Sequence, residues 1–94
     1  MVRQSALENA TEIYMRNSYW KKEYDTAPSE LCRQYIRLGW YRSLYGASGT
    51  VLKMKTLENQ FCIEDWEHLL SYTATNPFRT KCRERIQALK DKER

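Results

Sequence analysis

Glycine and proline are scarce, three and two in 94 residues. A chain this poor in turn formers does not suit a many-stranded β fold. With 30% charged and 41% apolar residues it is equally unlike a disordered low-complexity chain. No uncharged stretch approaches the ~20 residues that a membrane span needs, so no membrane partner is expected. Histidine occurs once, as His68, and cysteine three times, as Cys32, Cys62 and Cys82, with no C-x-x-C pair. Finger-type zinc sites need such close pairs to fix two corners of a tetrahedron, so neither a metal nor another cofactor is expected. Three widely spaced cysteines do not make a disulfide framework. The opening residues, Met-Val-Arg-Gln-Ser, contain no apolar signal core. The expectation is a reducing, cytoplasmic protein with free thiols. A nucleophile elbow and a Gly-rich phosphate loop are both missing. Glu64 and Glu67 are paired carboxylates, but at the start of a helix they compensate its dipole rather than make an acid/base pair. The chain therefore reads as a non-enzyme. Homeodomain, HMG-box, basic-zipper and finger patterns do not fit it.

What is present is helical periodicity. Ser5 to Tyr24 carries Ala6, Ala10, Ile13, Tyr14, Trp20 and Tyr24 near helical spacing, behind a Ser5-x-x-Glu8 capping box. Asp25-Thr26-Ala27-Pro28 ends it. A second helix is predicted from about Ser29 to Tyr45, with Leu31, Tyr35, Ile36, Leu38, Trp40, Tyr41, Leu44 and Tyr45 on a broad apolar face. Gly39 inside it suggests close approach of another helix, and Gly46 is a natural stop. Gly46-Ala47-Ser48-Gly49 is the one clear loop. Thr50 to Phe61 fits a helix through Val51, Met54, Leu57 and Phe61, and a short strand through Leu52, Met54 and Thr56. With no second strand in sight, helix is preferred. Ile63 to Tyr72 turns Ile63, Trp66, Leu69 and Leu70 inward. Asn76-Pro77 opens the last helix, whose Phe78, Cys82, Ile86 and Leu89 form one narrow stripe. The fold class is all-α, a single small bundle-like domain of four to five short helices over 1–94, with 76–94 as a basic C-terminal helix.

Charge alternates in sign along the chain. Residues 1–75 hold nine basic and nine acidic side chains, so the net +4 resides wholly in 76–94. Within the neutral part, Leu31 to Leu57 contains Arg33, Arg37, Arg42, Lys53 and Lys55 and no acid. Glu58 to Glu67 contains Glu58, Glu64, Asp65 and Glu67 and no base.

Two binding readings follow. The chain has seven Tyr, three Trp and nine Arg, the residue types that dominate protein interfaces, and twelve aromatics are a large load for so small a core. The first reading is association with a protein, either a partner or a second copy. Trp20, Tyr41 and Arg42 are its expected anchors, with Arg33 and Arg37 beside them. The alternative is DNA or RNA binding through the basic stretch 31–55, including Lys53 and Lys55, and through Arg79, Arg83 and Lys90 of the last helix.

Overall fold

The computed structural model describes residues 2–47 and 49–93, so Ser48 of the expected loop and Arg94 of the basic tail lie outside the described residues. The protein is all-α. Six helices are present among the described residues: α1 (Gln4–Met15), α2 (Ser18–Asp25), α3 (Glu30–Tyr45), α4 (Val51–Gln60), α5 (Ile63–Tyr72) and α6 (Asn76–Lys92). They fall into two compact units, 1–60 and 61–94.

The count exceeds the expected four to five because the first predicted helix is two. Asn17 takes an extended backbone, and its side-chain oxygen accepts from the Tyr19 N–H at 2.9 Å and the Trp20 N–H at 3.4 Å. That cap starts a new helix where the apolar spacing alone continues the old one. The Ser5–Glu8 capping box does not form. Ser5 lies inside α1, and Glu8 instead accepts from the Gln4 side chain. The other boundaries follow the sequence closely. Ser29 caps α3 by accepting from the Cys32 N–H, and Gly46 stops it at φ +92°, a conformation that costs a side chain dearly. The ambiguous 50–61 stretch forms a helix over Val51–Gln60.

In the first unit α3 packs against α1 and α4. It supplies Cys32, Tyr35, Ile36, Leu38, Trp40 and Tyr41 to the core, joined by Ala10 of α1 and Met54 and Leu57 of α4. Leu44 and Tyr45, expected on the same buried face, are exposed. Gly39 does not permit an unusually close approach. A Cβ built there would meet only the tip of Met54, at 4.0 Å. Most of the aromatic load is absorbed internally. Tyr14 stacks on Trp40 at 5.2 Å, Tyr24 tilts against Trp40 at 5.7 Å, and Trp20 meets Tyr14 edge-on at 6.1 Å. Of the twelve aromatic rings only Tyr19 and Tyr45 are exposed.

The second unit is the α5–α6 pair. Phe61, Trp66, Leu69, Cys82 and Ile86 are buried, with Phe61 edge-on to Trp66 at 5.2 Å. Asp65 caps α5 by accepting from the Cys62 N–H at 3.0 Å and its thiol at 3.3 Å. Arg85 lies 5.7 Å over the Trp66 ring. None of the three cysteines is in a disulfide. Cys32 and Cys82 are wholly buried and Cys62 is exposed.

Candidate interaction surface

The start of α4 is tied down by Thr50. Thr50 is fully buried, and both its N–H and its hydroxyl donate to the Ala47 carbonyl, at 3.0 and 2.8 Å. Its own carbonyl then accepts from the Met54 N–H at 2.9 Å, starting α4. Met54, Leu57 and Glu58 face the core, at the i, i+3, i+4 spacing of one helix face. That phase turns Leu52 outward. Val51 is 44% exposed and Leu52 77%. Across the turn, Leu44 is 43% and Tyr45 47% exposed at the end of α3. The Tyr45 hydroxyl accepts from the Asn9 amide at 2.6 Å, and its ring lies 5.1 Å from Tyr41. Four large apolar side chains thus stand in water within one short stretch of chain.

Arg42, Lys53 and Lys55 are exposed on the same two helix ends. None of them makes an ion pair among the described residues. A shallow open depression continues from Lys53 along the helices, lined by Leu7, Glu30, Gln34, Arg37 and Leu38. Within it Arg37 donates to the Thr11 hydroxyl at 3.0 Å, and Glu30 accepts from Arg33 at 3.0 Å.

The sequence-predicted anchors are dispersed. Trp20 is half-buried in the Tyr14–Trp40 cluster, 4.8 Å from Tyr19. Tyr41 is buried at 7% exposure, so its ring is not offered to a partner. Arg33 is held by Glu30 and by the Ala27 carbonyl at 3.3 Å. Of the five, Arg42 alone stands fully open beside the apolar turn. The residues that sequence reasoning missed are Leu44, Tyr45, Val51 and Leu52. The signal was available for Leu52, which falls off the Met54–Leu57 stripe once 51–60 is taken as a helix.

The cations of α6 divide as well. Arg79 is half-buried and donates to the carbonyls of Leu70 and Thr73, at 3.2 and 3.1 Å, where α5 ends. Its guanidinium serves as a C-terminal cap for α5. Arg83 and Lys90 are exposed along α6.

Buried acids are the other feature the sequence concealed. Glu58 accepts from the Tyr35 hydroxyl at 2.6 Å, and Asp65 is the α5 cap. Glu23 of α2 is 8% exposed, and burial pushes its carboxyl up to about 7. Every buried side-chain nitrogen and oxygen among the described residues has a hydrogen-bond partner. No group of three or more His, Cys, Asp and Glu among them is arranged to hold a metal ion. No helix among them is long and apolar enough to cross a membrane.

The comparisons with protein-family models, with curated proteins and with solved structures each find no match to this chain.

Proposed function

We propose that this chain is a non-enzymatic binding protein that works by docking onto another protein through the α3–α4 turn. One observation carries this reading: Leu44 and Tyr45 at the end of α3 and Val51 and Leu52 at the start of α4 are all exposed. Grouped apolar side chains in water, flanked by polar ones, mark an interaction site more often than isolated ones do. The Tyr and Arg beside them, Tyr45 and Arg42, are residue types that anchor interfaces. Three cysteines outside any disulfide, one of them exposed, support a reducing, cytoplasmic setting.

The test is site-specific crosslinking in cells that make the protein. A photo-crosslinking amino acid replaces either Leu52 or Glu12, an exposed α1 position. Protein adducts at position 52 and none at position 12 support the reading. Equal yields at both, or none at 52, overturn it.

A second reading, nucleic-acid binding, rests on a different observation. Arg83 and Lys90 are exposed on α6 and make no ion pair among the described residues. They lie seven residues apart, near one face of that helix. Titration with mixed DNA and RNA, followed by tryptophan fluorescence at ~50 and ~200 mM salt, decides it, because phosphate binding weakens by orders of magnitude over that range. Quenching that vanishes at the higher salt supports this reading. No quenching at the lower salt removes it.

A further inference from the structure

We infer that the partner presents an acidic amphipathic segment to the α3–α4 turn, aliphatic on one face and carboxylate-bearing on the other. The inference rests on the docking reading above and names the chemistry of what docks. The surface has two components, and the occupant must satisfy both.

The first is apolar. Leu52 at 77% exposure, with Leu44, Tyr45 and Val51 near half exposure, asks for aliphatic or aromatic side chains from the other side. The second is charge of one sign. Arg42, Lys53 and Lys55 are exposed, and the sequence from Leu31 to Leu57 contains no acid. The next acid, Glu58, is buried and accepts from the Tyr35 hydroxyl. Glu30, in the adjoining depression, is already bound by Arg33. Lys53 belongs to both places, so the cationic surface runs from the turn into a depression that also holds Arg37, Leu7 and Leu38.

These components narrow the occupant. A second copy docked symmetrically through this patch would set Arg42, Lys53 and Lys55 against themselves, and like charges across an interface suppress pairing. A nucleic-acid backbone would use the cations and leave four apolar side chains against phosphate and water. A helix with leucine-type residues at i, i+3, i+4 and i+7 and Glu or Asp between them covers the apolar turn and pairs with the cations together.

The test is selection from random peptides of about sixteen residues displayed on phage, long enough for four helical turns, using the immobilised full chain as bait. Synthetic copies of the enriched peptides are then measured by fluorescence anisotropy on the parent chain, on Leu52→Ser and on Lys53→Glu/Lys55→Glu. All three positions are exposed, so the variants keep the fold, which circular dichroism checks. The expected result is enrichment of acidic, aliphatic peptides whose affinity falls with salt and drops about tenfold or more in each variant. Enrichment of basic or uncharged peptides, no enrichment, or affinity unchanged in both variants overturns the inference. So does a dimer in sedimentation velocity that Leu52→Ser abolishes. Binding to phosphatidylcholine vesicles with about one quarter phosphatidylserine, lost in Leu52→Ser while no peptide is selected, likewise overturns it and assigns the turn to a lipid surface. The two failures are separable. If protein crosslinks at position 52 persist while the peptide test fails, docking stands and the acidic partner falls. If the crosslinks are absent too, both fall.

Discussion

Replacing Glu23 with Gln should stabilise the protein, by an amount that grows from about pH 5 to pH 7. The carboxyl of Glu23 is 8% exposed, and burial raises it from 4.5 to about 7. In the unfolded chain the same group ionises near its ordinary value. Between about pH 4.5 and 7 the folded state therefore holds a proton that the unfolded state has released. Stability falls through that window by about 1.4 kcal/mol per pH unit, and levels off above the folded value. The accumulated loss is about 3 kcal/mol, a large share of the stability of a chain this size. Gln keeps the size of the side chain and cannot ionise. The difference in unfolding free energy between Glu23→Gln and the parent should be small at pH 5, should grow in the variant's favour to pH 7, and should stay level to about pH 8. Urea denaturation at each pH, followed by tryptophan fluorescence and circular dichroism, measures it. Taking the difference cancels the titration of groups common to both chains. A difference that does not change with pH, or one that favours the parent increasingly as pH rises, refutes the reasoning.

Three further outcomes follow from local geometry. Asn17→Ala removes the side-chain acceptor of the α2 cap and should cost about 1 kcal/mol in urea denaturation, with helical content lost around 16–20. Gly39→Ala should raise stability by up to about 1 kcal/mol by the same assay, because the helix gains propensity and the added Cβ finds only the flexible end of Met54, at 4.0 Å. Arg79→Met removes two charge-assisted hydrogen bonds to the end of α5 and should cost about 1–2 kcal/mol. The same variant should leave any nucleic-acid affinity nearly unchanged, while Arg83→Ala in a parallel titration should weaken it if the second reading is right.

The helices themselves were legible because their signals are local. Ser29, Gly46 and the apolar stripe Phe78–Cys82–Ile86–Leu89 each act within a turn or two, and each lands where the spacing places it or within a residue. Asn17 was equally local, but it was outweighed by apolar residues that stay in phase on both sides of it. The surface was less legible, because exposure is decided by which neighbour arrives. Periodicity put Leu44, Tyr45 and Tyr41 on one buried face. The structure buries Tyr41 and leaves the other two open. Arg79 looked like a free cation because nothing in the sequence links it to carbonyls six and nine residues earlier. The burial of Glu23 and Glu58 is hidden from the sequence for the same reason.

The placement of the cysteines gives the chain a built-in reporter of its own opening. Cys32 lies wholly buried in the first unit and Cys82 wholly buried in the second, while Cys62 is open to solvent. A thiol reagent added to the native protein reaches Cys62 at once. It reaches each of the others only when the helices around that thiol separate. With Cys62 blocked in advance, modification of Cys32 and Cys82, resolved by peptide mass, times the breathing of the two units separately and in one sample, with no label added to either.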